Sequence, residues 1–303
     1  MNDSMNKYME VGLIHFMAYP STMKGEGPIC ETVKKIALDP YFTAIEVTWI
    51  KDPEVRQAVK KIVDTAKLKL AYGGQPRLLT TGLNINDLNE AGRQKALASL
   101  KEGIDEAYEL GAKGFAFLSG KYEAATKEES YQALVKSTKE LCQYAKSKGG
   151  LKVVLEIFDY DVDKKSLIGP VELAKRFGTE IRKEYDNFGL LVDLSHLPLV
   201  RETAEQAILP IKDYLVHAHI GNAVVMDTSL AAYGDAHPRF GFPNSENDVA
   251  ELTAFLKVLL DIGFLNVQNP PILSFEVKPW GDEDPDLVIA NAKRTLNAAW
   301  ARL

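Results

Sequence analysis

Eight short apolar runs recur along this chain with longer stretches between them. They are Val11–Phe16, Ala44–Trp49, Leu68–Tyr72, Gly114–Leu118, Lys152–Ile157, Gly189–Asp193, Tyr214–His219 and Ile272–Glu276. Each run is continuously apolar rather than alternating, the pattern of parallel strands covered on both faces. Amphipathic segments, predicted as helices, separate them: Pro53–Lys67, Ala91–Leu110, Lys127–Lys148, Pro170–Glu184, Glu246–Ile262 and Pro285–Ala301. In the first, Val55, Ala58, Ile62 and Ala66 repeat at helical spacing behind Asp52, a good N-cap. Gly111 and Gly149 stand where left-handed C-cap residues belong. Strand and helix alternating to the end, with no linker, predict one α/β domain, a (β/α)8 TIM barrel over residues 11–303 behind a flexible tail, residues 1–10. An open doubly wound sheet is the alternative, but no GxGxxG follows the first run. Gly221–Asn247 is too long for a simple turn and is expected to be a lid or binding segment.

A length of 303 residues suits one barrel of this kind. The acidic surplus, 42 Asp and Glu against 36 Lys and Arg, argues against a nucleic acid or an anionic membrane as the main partner. Cys30 and Cys142 are far apart and outside any metal spacing, as expected in a reducing cytoplasm. The polar start, MNDSMNKYME, leads into a run too short for a signal sequence, and no apolar stretch is long enough to span a bilayer. A cytoplasmic homo-oligomer is the expectation.

The chemistry concentrates late in the chain. Four of the five histidines, His196, His217, His219 and His237, follow Ile157, in the groupings Asp193-Leu194-Ser195-His196, His217-Ala218-His219 and Asp235-Ala236-His237. Two isolated glutamates stand near the ends of apolar runs, Glu156 in LKVVLEIF and Glu276 in PPILSFEV. Imidazole and carboxylate are ligands for borderline and hard divalent ions. Glu156 comes near the end of the fifth strand, and Asp193, His219 and Glu276 end the sixth, seventh and eighth. In a parallel barrel these ends open on the face where barrel enzymes hold their chemistry. Ionisable groups are rarely buried unless paired or bound to a metal. These four are therefore predicted to surround one point. His217 shares a face with His219, so one is a ligand and the other its support, or His217 is a core histidine. His196 is within reach of a metal or a substrate oxygen. Asp235 and His237 belong to the long loop, and His15, ending the first strand, is expected in the pocket wall. Trp49, Phe158 and Trp280 lie near the active face, where they could stack on a ligand. Lys278 and Arg239 could meet a phosphate, but no glycine-rich anion nest accompanies them, so an unphosphorylated substrate is expected.

At Glu156, Asp193-x-x-His196, His219 and Glu276 the chain resembles the xylose isomerase-like barrel superfamily, with the order and spacing of tagatose 3-epimerase-like enzymes of the sugar phosphate isomerase/epimerase family. The resemblance spans essentially the whole chain. It implies that Glu156, Asp193, His219 and Glu276 hold one divalent ion, manganese first, with cobalt or magnesium as alternatives. It also makes Glu156 and Glu276 the catalytic acid–base pair, and His196 a contact to a substrate hydroxyl. Further carbohydrate contacts are expected from His15, Trp49, Phe158, His237 and Lys278. Gly234-Asp235-Ala236-His237-Pro238 with Phe240-Gly241 resembles the loop many members carry after strand seven. Two departures stand out. Strands three and four end in Ala71-Tyr72-Gly73 and Leu118-Ser119-Gly120, without the histidines that a trinuclear-zinc AP endonuclease needs. Asn222-Ala223-Val224-Val225 stands where ketohexose epimerases carry an arginine.

The expected activity is a metal-dependent sugar isomerase or epimerase acting through an enediolate. The same base and metal would also serve a lyase that expels a β-leaving group, resembling inosose dehydratases or the barrel subunit of 3-keto-glycoside and C-glycoside deglycosidases, with a small second subunit as partner. An AP endonuclease-like phosphodiesterase and a sugar-binding barrel without catalysis are further alternatives.

Overall fold

A computed structural model describes residues 3–303. Its eight strands are β1 (Glu10–Leu13), β2 (Ala44–Val47), β3 (Lys69–Gly73), β4 (Gly114–Leu118), β5 (Lys152–Glu156), β6 (Phe188–Asp193), β7 (Leu215–Gly221) and β8 (Ile272–Glu276). All ladders are parallel, in the order β1-β8-β7-β6-β5-β4-β3-β2. The Thr43 amide donates to the Val11 carbonyl at 2.9 Å, and Ile14 bridges Glu46, so β1 meets β2 and the sheet rounds into a nearly closed barrel. The predicted α/β barrel is the fold.

Each helix begins and ends where the local chemistry permits. Asp52 accepts from the Glu54 amide and Pro53 occupies the first turn, which opens helix Pro53–Ala66. Asn89 caps helix Glu90–Leu110, and Gly111 closes it with φ +77°. Helices Lys127–Lys148, Val171–Arg182, Val249–Asp261 and Pro285–Trp300 fall where predicted. Helix Ile29–Leu38 fills the β1–β2 connection, and two short pieces, Leu197–Val200 and Ala204–Ile208, follow β6; the periodicity had shown none of them. Their apolar faces and the outward faces of the strands form one continuous core. Among the described residues no helix is long and apolar enough to cross a membrane.

The N-terminal segment expected as a flexible tail falls partly outside the described residues. From Asp3 onward it packs on the barrel: Met9 is buried, the Tyr8 ring lies tilted against Trp300, and the Trp300 indole donates to the Asp3 carbonyl. The first strand also stops short. The strand ends at Leu13, with one further bridge at Ile14, and His15 opens a one-turn helix, His15–Ala18.

Register places the chemistry. Glu156 pairs with Leu191, Asp193 with His219, and Gly221 with Glu276. His217 and His219, two residues apart on β7, share the face that meets Glu46, and the β6–β7 register shifts between Leu190 and Leu191.

Candidate active site

Glu156, Asp193, His219 and Glu276 converge at the C-terminal mouth of the barrel. Each offers a ligand atom, and the four atoms lie within 4.8 Å of one another. His219 Nδ1 is 2.9 Å from Glu276 Oε2 and 3.4 Å from Glu156 Oε1. One buried polar atom on each of the four residues has no hydrogen-bond partner: Glu156 Oε1, Asp193 Oδ2, His219 Nδ1 and Glu276 Oε2. A buried polar atom left unpaired costs about 1–3 kcal/mol, and more if charged. Four gathered at one point can be satisfied together by a proton on His219 Nδ1 or by a metal cation between them.

The other atom of each carboxylate is held. Gln75, from helix Gln75–Leu79, donates to Glu156 Oε2 at 2.6 Å. The Ser195 amide donates to Asp193 Oδ1 at 2.7 Å. Glu276 Oε1 lies 3.4 Å from His237 Nε2. Behind His219, Glu46 Oε2 is 3.3 Å from Nε2, while Glu46 Oε1 is 2.7 Å from His217 Nε2. Gly221, opposite Glu276, has no room for a side chain: a Cβ would sit 2.5 Å from the Glu276 carbonyl oxygen.

The donor set, three carboxylates and one imidazole nitrogen, suits magnesium, manganese or cobalt better than a thiolate-seeking ion. Among the described residues two other groupings bring ligand atoms together, Glu46–His217–His219 and Asp193–His196–His237. Their atoms are largely engaged already. Glu46 takes both β7 histidines, and Asp235 Oδ1 lies 3.1 Å from His196 Nε2 and 2.7 Å from His237 Nε2. Only the first group keeps a free atom on every member.

Electrostatics follow from the crowding. Burial raises the Glu276 carboxyl to about 7, with Glu156 adding repulsion against the pull of His237 and His219. Burial would lower His219, yet the surrounding Glu46, Glu156 and Glu276 hold its imidazolium well above the usual value. Burial likewise opposes charge on Asp193, and His196, His237 and His219 outweigh it and lower the carboxyl. Acids this close draw a proton or a metal cation.

A cavity of about 310 Å³ opens over the cluster, walled by Phe16, Met17, Met23, Pro76, Leu79 and Phe158, with Lys164, His237 and Lys278 supplying polar groups. The long connection after β7 forms one side. It is tied down: the Lys278 amide donates to the His237 carbonyl at 2.7 Å, and the Trp280 indole to Ala236 at 3.0 Å. Lys164 binds both the side chain and the carbonyl of Asp235 at 3.0 Å.

The remaining sequence candidates divide. Phe158, His237 and Lys278 line the cavity. His196 sits behind the wall: its Nδ1 is 2.7 Å from the Ile157 carbonyl, and its ring packs 4.5 Å from Phe158. His15 turns away, its Nε2 2.7 Å from Thr32 Oγ1, because the strand expected to carry it has already ended. Trp49 also lies outside the lining, donating to the Met23 carbonyl at 2.8 Å. Arg239 pairs with Glu283. Sequence reasoning passed over Glu46, Gln75 and Lys164. Glu46 had a visible signal, an acid inside the apolar run AIEV of the kind that marked Glu156; Gln75 and Lys164 had none.

The sequence profile of the family described as Xylose isomerase-like TIM barrel matches residues 37–295. No curated protein matches the chain. Among solved structures, a D-psicose 3-epimerase from Clostridium cellulolyticum H10 superposes with TM-score 0.71 at 16% identity, covering 97% of this chain and 99% of that one. An L-ribulose 3-epimerase gives TM-score 0.71 at 18% identity over 97% and 96%. A 3-keto-D-glucoside 4-epimerase from E. coli gives 0.64 at 17% over 97% and 99%.

Proposed function

The chain belongs to the xylose isomerase-like TIM barrel family, and from that premise we propose that it is a divalent-metal-dependent sugar isomerase or epimerase. The single observation that carries this reading is the set of four unpartnered buried atoms on Glu156, Asp193, His219 and Glu276. These four residues hold the ion, manganese by preference. When bound, the ion supplies Lewis acidity to a substrate carbonyl.

The chain's own residues supply the proton transfers. Glu156 and Glu276 both face His219 Nδ1 and line the cavity. One takes the proton from the carbon next to the carbonyl, and the other returns a proton to the opposite face of that carbon, inverting it. Return to the adjacent carbon isomerises the sugar instead. Gln75 fixes the orientation of Glu156. Glu276, raised by burial and by Glu156, has the affinity for a proton that an acid–base group needs near neutrality. His237 and Lys278 meet sugar hydroxyls, Phe158 offers a flat apolar face, and His196 and Asp235 hold that wall in place. Neighbours of the same fold act on psicose, ribulose and a 3-keto-glucoside, which sets the substrate panel.

The decisive experiment incubates metal-replete protein with ketohexoses, ketopentoses and 3-keto-glucosides in deuterium oxide. Epimeric product with deuterium at the carbon beside the carbonyl is expected. Absence of exchange with every substrate, in protein shown to carry the ion, overturns the reading.

One observation favours a second reading. The reaction cavity shares Leu79 and Lys164 with a further cavity of about 510 Å³, lined also by Leu83, Asn84 and Lys121. That space suits a leaving group larger than a proton, as in a lyase acting on a 3-keto-glycoside. Release of an aglycone, rather than deuterated epimer, identifies it.

A further inference from the structure

The barrel is hollow at its other end. Barrel interiors of this fold are filled by layers of bulky branched side chains. Toward the N-terminal ends of the strands this chain instead places Ala71 on β3, Gly114 and Ala116 on β4 and Val154 on β5. With Val216 and Ile272 they enclose a cavity of about 360 Å³, comparable to the reaction cavity. The space opens to solvent at its mouth, and side chains as small as those of Ala71 and Ala116 leave room in it for a molecule larger than water.

The lining is chemically polarised. At the inner end lie Glu46 and His217, joined at 2.7 Å through Nε2, which leaves His217 Nδ1 without a partner among the described residues. At the mouth stand three lysines from three adjacent strands, Lys69 on β3, Lys113 just before β4 and Lys152 on β5. Lys69 is paired with Glu10 at 2.8 Å. Lys152 reaches only a backbone carbonyl, that of Asp186, and Lys113 has no side-chain partner among the described residues. Burial, with the charge of Arg182, holds Lys152 below its usual value. A chain of net charge −6 thus carries three ammonium groups at this mouth; among the described residues Glu10 is ion-paired with Lys69, and the nearby carboxylate of Asp186 is paired with Lys146.

We propose that this cavity is a second ligand site, taking a small organic anion. Its carboxylate or phosphate meets Lys113 and Lys152, and its apolar body lies between Ala71, Ala116 and Ile272 toward His217. Size, an apolar middle and a basic mouth select such a molecule over a bare inorganic ion, which would leave the apolar space unfilled, and over a neutral one, which would leave the lysines unpaired. The proposal is independent of the reaction at the opposite mouth.

Calorimetric titration of the full-length, metal-replete protein tests it with benzoate, phenyl phosphate and the neutral isostere benzamide. Benzoate or phenyl phosphate is expected to bind at one site at least about tenfold more tightly than benzamide, as pairing to charged groups requires. Lys113→Glu should weaken that binding by about tenfold or more, and Ala116→Leu, which fills the space, should remove it. If Ala116→Leu does not fold, Lys113→Glu alone decides. Equal affinity for anion and isostere overturns the proposal. So does binding that Lys113→Glu leaves unchanged, or no heat from either anion at millimolar concentration.

Discussion

Glu46 Oε2 lies 3.3 Å from Nε2 of His219, on the opposite side of the ring from the nitrogen that faces Glu156 and Glu276. A carboxylate there keeps the ring proton on Nε2 and leaves the Nδ1 lone pair for a cation, the arrangement common behind metal-bound histidines. Glu46→Ala should weaken divalent-ion affinity about 10- to 100-fold, and Glu46→Gln less, because an amide oxygen still accepts from the ring. Calorimetric titration with manganese measures both; unchanged affinity in Glu46→Ala denies the link.

The acid–base roles proposed for Glu156 and Glu276 make a separate demand. Glu156→Gln and Glu276→Gln should each lower turnover about 10²- to 10⁴-fold. Far-ultraviolet circular dichroism and metal content measured on the same samples separate lost chemistry from lost ion. Near-normal turnover in both variants would remove them from the reaction.

Metal should also act on stability. An ion that binds only the folded chain, present at about 100 times its Kd, stabilises it by about 2.7 kcal/mol. For a chain of 303 residues that corresponds to a rise in Tm of roughly 4 °C. Scanning calorimetry with and without chelator reads the shift, and an identical Tm in the two conditions contradicts the site.

His15 gives a pH dependence far from the cluster. Burial lowers its pKa to about 3, with Thr32 as the one side-chain hydrogen-bond partner. The unfolded chain, titrating near 6.5, binds more protons between those values. Stability contributed by the neutral ring is therefore complete above about pH 6.5 and declines toward pH 3, by about 1.4 kcal/mol per pH unit. Urea unfolding of the wild type and of His15→Gln should show their stability difference narrowing by about 2 kcal/mol between pH 7.5 and 5. A constant difference refutes the assignment.

The four converging residues were legible in the sequence because each stands at or near the end of an apolar run, and strand ends are where a parallel barrel collects its side chains. His15 and Trp49 failed by the same rule. Their runs looked longer than the backbone pairing turned out to be, and beyond Leu13 and Val47 the two-residue alternation no longer governs direction. The role of Asp235 could not be read, because beyond the neighbouring His237 its partners His196 and Lys164 come from two other connections and reach it only in the folded chain. Helix Ile29–Leu38 was missed for a local reason: Pro28 precedes it without a side-chain cap.

The connection after β7 was expected to be a lid or a binding segment. Sewn to the β8 end through His237 and Ala236, and to the β5 connection through Asp235, it acts as a fixed cheek of the vessel rather than a shutter. Cargo must then pass the opposite lip, where Leu79 is 46% exposed and Met23 only half-covered. Trimming that lip would change how fast molecules arrive and depart, while leaving untouched the groups that transform them.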